Sequence, residues 1–364
     1  MNKISIFAIA VFVAIFVGLF ATQVKEKDTD VTRAKTKVGL IAIGHRNDHS
    51  WNQAHVDGLT KTAENLNLEI DIHENIPEED TCETVIEEMI ENGDEIIIAT
   101  SFGYGKYIQN QAKKHPDVKF FHATGIKEAP NLATYFGRIY QMRYLAGIVA
   151  GYQTKTGNIG YVAAFDISEV IRGINAFALG VKKANPNATV HVKWSKSWND
   201  EEISRKATRE LLDKHDIDVL TVHSDALSPF EIAVERGVWI VGYNIDNSTL
   251  YPKNFLTAPV WDWEAFYTPR ILEVLQKKFV SKHYWEGAES GIPSLAPLTE
   301  HVSPKVRESI DREMELLKSG TFDVFYGPVV DNQDSTRILE GESMTDNDML
   351  NNFNWFVKGV VIDE

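Results

Sequence analysis

The run Lys37-Val38-Gly39-Leu40-Ile41-Ala42-Ile43, the loop Gly44-His45-Arg46-Asn47-Asp48-His49-Ser50 and the stretch that begins Trp51-Asn52-Gln53-Ala54-His55-Val56 decide the fold. A short apolar run enters a polar loop, and from 51 to 66 the apolar residues recur at helical spacing. This is a strand, loop and helix unit. It repeats outward along the chain. Strand-like runs stand at 69–72, 96–100, 120–123 and 132–136, and a helix at 83–92 is stopped by Gly93. An apolar helix at 141–151 follows. A second series opens at Ile159-Gly160-Tyr161-Val162-Ala163-Ala164, with helices at 169–184, 200–215 and 228–236 and strands at 189–194, 218–222 and 238–242. Such alternation predicts an α/β fold of two lobes, each a doubly wound, mostly parallel sheet covered by helices. The strand at 256–260 and the helices at 263–278 and 304–319 are too few for a third series, so they are expected to cross back and complete the two sheets. The expected lobes are 37–138 with about 258–295, and 139–257 with about 296–364.

Residues 1–21 have a short positive start and an apolar run ending at Ala21, the pattern of an export signal. An uncleaved membrane anchor is the rival reading, because the run approaches the length that spans a bilayer. Residues 22–36 are polar and aperiodic and read as a linker. The whole chain of 364 residues is 43% hydrophobic and carries 52 acidic against 37 basic side chains, a net charge of −15. That balance excludes polymeric nucleic acid, which demands a cationic footprint. The lone Cys82 excludes intramolecular disulfides and thiolate metal sites.

Ligands of open α/β sheets bind beyond the carboxyl ends of the strands, so the loops there hold the candidate site. After the first strand, Trp51 stands among Asn47, Asp48 and Asn52, a ring beside hydrogen-bonding side chains that suits a flat, polar-edged ligand. The same tryptophan is equally suited to pack a helix against a sheet. His45, His49 and His55 with Asp48 raise a metal reading, but His45 precedes the helix and no His-Glu-x-x-His pattern is present. No metal or cofactor is expected. The loop Ser101-Phe102-Gly103-Tyr104-Gly105 offers two rings for stacking and glycines for close backbone approach, without the Gly-Lys-Ser/Thr of a phosphate loop. In the second series Phe165, Asp225 and Asp246 stand at strand ends; the carboxylates accept from ribose hydroxyls or a base edge, or else cap the next helix. Trp194, Trp198, Trp261 and Trp263 lie near other strand ends, too many to stack on one small ligand; Trp198 and Trp261 are the candidates retained. No nucleophile and base stand together, and no enzyme is expected.

These strings, taken in order, closely resemble the basic membrane protein (BMP) family, the purine-nucleoside-receptor type of substrate-binding protein of ABC transporters. The family's Asp-Asp-x-Ser-Phe-Asn-Gln motif is matched by Asn47-Asp48-His49-Ser50-Trp51-Asn52-Gln53, and its Tyr-Leu-Ala-Gly helix by Tyr144-Leu145-Ala146-Gly147. Residues 169–177 with Trp194, Trp198 and Asp200, and Val260-Trp261-Asp262-Trp263 with Tyr267, are similar to the branch that binds purine bases. The resemblance implies a two-lobed periplasmic-binding-protein fold with three hinge crossings, Trp51 in place of a stacking Phe, and Asp246 as the lobe-two carboxylate. It implies a monomeric periplasmic receptor that delivers a small purine to an ABC permease; a sensing module of the same fold without a permease is the alternative. Asn47 and Asn244 stand where the family has carboxylates, which favours a free base over a nucleoside. The family's lipoprotein cysteine is absent, since the one cysteine is at 82.

Overall fold

The structure, a computed structural model, describes residues 35–363. The expected export segment and all but the last two residues of the linker lie outside the described residues. Among those described, no helix is long and apolar enough to cross a membrane.

The first βα series builds a six-stranded sheet from β1 (Lys37–Ile41), β2 (Glu69–His73), β3 (Asp94–Ala99), β4 (Lys119–Ala123) and β5 (Leu132–Gly137). The second builds another from β6 (Asn158–Ala163), β7 (Thr189–Trp194), β8 (Val219–His223), β9 (Trp239–Val241) and β10 (Phe255–Thr257). Each receives its sixth strand from late in the chain. β12 (His283–Glu286) pairs in parallel with β5, giving the order β12-β5-β4-β3-β1-β2. β16 (Val360–Asp363) pairs in parallel with β7, giving β10-β9-β8-β6-β7-β16. The last third of the chain thus completes both sheets, but through two strands that are not among the elements expected there. Both edge strands are four residues long, too short to show a period in the sequence.

Both sheets are wholly parallel, so helices must cover both faces, and central strands such as Leu132–Gly137 are buried at every residue. Around the first sheet lie α1 (Trp51–Leu66), α2 (Thr81–Glu91) and α3 (Gly105–Lys114), with α8 (Trp263–Leu275) packed on α1. α4 (Tyr140–Gln153), α5 (Ser168–Ala184), α6 (Glu201–Lys214), α7 (Ser228–Arg236) and α9 (Pro304–Lys318) belong with the second. A small hairpin, β14 (Val329–Val330) with β15 (Thr336–Ile338), precedes the last strand. α4 and α5 are in backbone contact: a β-carbon on Gly147 would lie 2.0 Å from the Phe177 carbonyl, and one on Gly180 would lie 1.9 Å from that of Tyr144.

The chain passes between lobes three times, and the passages adjoin. β11 (Pro259–Trp261) and β13 (Pro293–Leu295) form an antiparallel pair, with Trp261 opposite Pro293. Gly137, where the chain leaves β5, lies against the Trp261 ring, 2.6 Å from where its β-carbon would be. The hinge is therefore a packed junction of three segments.

Candidate functional site

The loop from β1 to α1 is shaped by Asp48. Its carboxylate accepts from the amides of Ser50 at 2.8 Å, Gln53 at 3.0 Å and Asn52 at 3.0 Å, and from the Asn52 side chain at 2.8 Å. These bonds satisfy the open amides of the first helical turn. Asn52, buried, accepts in turn from the Gly44 amide at 3.3 Å. Asp48 and Asn52 therefore build the loop. Because Asp48 caps the helix, the Ser50 hydroxyl is left for other partners, and both belong to the second lobe. Ser50 donates to Asp225 Oδ1 at 2.7 Å and accepts from Asn244 Nδ2 at 2.9 Å.

Asn244 is the residue on which the junction converges. Its amide also donates to Asp225 Oδ1 at 2.8 Å, and its Oδ1 accepts from the Trp261 indole at 2.9 Å. It sits at φ 68°, a left-handed conformation that asparagine tolerates better than most residues. Nearby, Asn247 donates to the His49 carbonyl at 3.0 Å. Lobe one, lobe two and the hinge thus meet through Ser50, Asp225, Asn244 and Trp261. The Asp225 carboxyl is pushed up to about 7, by burial first and by the neighbouring Asp48 second, against the bonds from Ser50, Trp51 and Asn244.

A folded-state value above the unfolded one means that the native protein holds a proton the unfolded chain has released. Stability from this group is therefore present at low pH and lost as pH rises from about 4 through 7. The ceiling for such a shift is about 4 kcal/mol, and the carboxylate's partial exposure reduces the expected change to about 2 kcal/mol. Melting curves at pH 5 and pH 8 are expected to show this loss in the wild type and to show most of it removed in Asp225→Asn. Equal pH slopes in the two proteins would contradict the junction described.

Trp51 opens α1 half-buried, its indole N–H donating to the Thr100 carbonyl at 2.8 Å, so the ring is fixed to the end of β3. Trp261 and Trp263 stack on each other at 4.7 Å and both meet Trp51 nearly perpendicularly, at 5.8 and 5.7 Å. His55 is fully buried, stacked on Trp263 and bonded to the Tyr267 hydroxyl, and burial holds its pKa well below the usual value. It is a neutral core residue, with no role in the metal reading.

The second lobe presents a ring wall. Phe165 meets Trp198 edge to face at 5.5 Å, and Trp198, 37% exposed, lies 6.4 Å from His223. The Trp198 carbonyl accepts from the Asp225 amide at 2.7 Å, which ties this wall to the junction. His223 is buried between Glu169 at 3.1 Å, Tyr243 at 3.1 Å and Tyr161 at 3.2 Å. Burial would raise the Glu169 carboxyl, but His223, Arg172 and Arg143 outweigh it and keep it below its usual value. The Arg143 guanidinium lies 3.7 Å over the Tyr243 ring and donates to the Val222 carbonyl, while its Nε and Nη2 are buried without a protein partner.

Other candidates lie elsewhere. Tyr104 is wholly buried, donates to the Ile76 carbonyl and belongs to the core behind the first sheet. Gly103 has no β-carbon because the Glu78 carboxylate fills that space at 2.3 Å, and its amide donates to Glu78 at 2.7 Å. The glycine thus leaves room for a loop clamp by Glu78, which also accepts from the Ser101 hydroxyl. Phe102 is 60% exposed and Asn47 is exposed. Asp246 is exposed, accepts from the Ser248 amide at 2.9 Å, and borders a cavity of about 170 Å3 with Asp57, Lys61, Asp262 and Trp263. The junction position in that string is Asn244, two residues earlier. Ser50 and Glu169, which stand within quoted motifs, and His223, at the end of β8, are also absent from the sequence-derived set.

The pattern of the Bmp family, described as "ABC transporter substrate-binding protein PnrA-like", matches residues 35–326. The chain belongs to this family. Two relatives of this Bmp protein are each 34% identical to it. One, a purine-binding protein of Brucella abortus, aligns over 90% of this chain and 93% of its own. The other, a putative ABC transporter glucose-binding protein of Haloferax volcanii, aligns over 88% of this chain and 79% of its own. Among solved structures, an ABC transporter solute-binding protein from Conexibacter woesei superposes with a TM-score of 0.68 at 21% identity, covering 79% of this chain and 98% of that one. The last likeness shows the fold alone. With the family match, it bears out the two-lobed substrate-binding architecture read from the sequence.

Proposed function

We propose that this Bmp-family protein captures a purine, a free base in preference to a nucleoside, between Trp51 on the first lobe and the Phe165–Trp198 wall on the second, and presents it to an ABC permease. The observation that carries the reading is the junction at the strand ends, where Ser50, Asp225 and Asn244 are mutually bonded, Trp261 donates to Asn244, and Ser50 directly precedes Trp51 in the chain. A flat, uncharged heterocycle suits aromatic rings contributed by both lobes, and Asp225 and Glu169 supply acceptors for its edge N–H groups. The free base is favoured because Asn244 has both amide hydrogens committed to Ser50 and Asp225 and its oxygen engaged by Trp261. Where the family has a carboxylate, little remains here to receive ribose hydroxyls. The relative named for purine binding adds support, and the relative named for glucose binding makes a hexose the competing ligand class. On this reading the protein works outside the cytoplasm, in the periplasm, as a monomer.

A thermal-shift screen over nucleobases, nucleosides, sugars and amino acids tests the proposal. Purine bases are expected to raise the melting temperature most, with the matching nucleosides weaker. Stabilisation by a hexose and by no purine overturns it.

A further inference from the structure

At the edge of the second sheet, the final strand β16 brings Asp363 beside two histidines. His191 on β7 and His215, just past α6, stack with ring centroids 3.8 Å apart. All three residues offer ligand atoms within 4.8 Å of one another. His215 Nε2 lies 3.0 Å from both Asp363 oxygens, and His191 Nδ1 lies 3.8 Å from Oδ2. His191 and Asp363 are buried, at 7% and 5% exposure. His191 Nδ1 has no hydrogen-bond partner. Its other nitrogen, Nε2, lies 3.0 Å from the Asn158 side-chain carbonyl, which places the ring proton there and leaves the Nδ1 lone pair facing Asp363. A second-shell carbonyl that fixes the tautomer of an imidazole is what metal-binding histidines use.

We propose that His191, His215 and Asp363 form a binding site for a divalent transition cation of the zinc type. Two neutral imidazoles and one carboxylate suit such an ion better than calcium or magnesium, which take oxygen ligands. Ligand atoms of a tetrahedral zinc stand about 3.4 Å apart, and the present separations of 3.0 and 3.8 Å bracket that spacing. Two side chains must move to admit the ion. Lys214, whose amine donates to Asp363 Oδ1 at 2.6 Å, has a side chain 60% exposed and swings into water. The His215 ring, one-fifth exposed, turns out of the stack so that its nitrogen lies in line with the ion. The bound ion would fasten the last strand to the body of the sheet, since its three ligands come from β7, the end of α6 and β16.

Calorimetric titration of the chelator-treated, full-length protein with zinc chloride tests the site. One ion per chain with micromolar or tighter affinity is expected, and His215→Gln should weaken it about tenfold or more. Lys214→Ala should bind zinc at least as tightly as the wild type, because it removes the competing cation. If the cluster is only an ion pair, that variant loses stability and neither it nor the wild type binds zinc saturably. Absence of saturable binding, or equal affinity in wild type and His215→Gln, overturns the proposal.

Discussion

Trp51→Ala is expected to weaken capture of the preferred purine at least tenfold, read as the dissociation constant from titration calorimetry. Stacking a base on an aromatic side chain contributes on the order of 1 to 3 kcal/mol, and a loss of about 1.4 kcal/mol is already tenfold. The ring is also held in place before the ligand arrives, by its bond to the Thr100 carbonyl and its edge contacts with Trp261 and Trp263, so little ordering cost offsets the stacking. Trp51→Phe should retain most of the affinity, since the family resemblance has Phe at this position. Because Trp51 is half-buried, the alanine variant should still fold, and far-ultraviolet dichroism checks this. An unchanged dissociation constant in folded Trp51→Ala removes the ring from the proposed site.

The second large effect falls on the fold. Gly147→Val is expected to destabilise the second lobe by more than about 3 kcal/mol, or to prevent it from folding, because the new side chain cannot occupy the space 2.0 Å from the Phe177 carbonyl. The contact is reciprocal through Gly180 and Tyr144, so α4 and α5 cannot separate locally without losing the core between Leu145, Ile148, Phe177 and Val181. Chemical denaturation followed by dichroism measures the loss. A midpoint within error of the wild type contradicts the helix contact described here. The same glycine closes the Tyr144-Leu145-Ala146-Gly147 string that carried part of the family resemblance, and its role is close packing, not ligand contact.

Much of the architecture was legible because parallel sheets impose a strong alternation on the sequence. The helices Trp51–Leu66 and Ser228–Arg236 and the strand Thr189–Trp194 have the bounds expected from periodicity. The strand His283–Glu286, the strand Val360–Asp363 and the helix Gly105–Lys114 were not legible. The first two are four residues at sheet edges, and the third is a lysine- and glutamine-rich surface helix with only Ile108, Gln111 and Ala112 buried. The candidate site was readable as a set of loops but not as a set of contacts. The sequence marks Asp48 as polar at a helix start, and only the structure reveals that capping uses that carboxylate and frees Ser50 for the other lobe. It marks Asp246 as a strand-end acid, yet the residue turned into the junction is Asn244, whose left-handed backbone no pattern in a single sequence announces. Nor does the sequence announce that the open side of Gly103 is taken by the Glu78 carboxylate.

The proposed cycle is capture by closure. The ligand gains contacts from both lobes only when they meet, and so shifts the population toward the closed form by its differential affinity. The Ser50–Asp225–Asn244 junction is the protein's own part of that closed contact, and the rings beside it are the ligand's part. The most direct test of the central claim is titration calorimetry of the intact chain with adenine, run beside glucose under the same conditions. Saturable heat at one adenine per chain and none from glucose is expected; saturation by glucose with no heat from adenine would contradict capture of a purine.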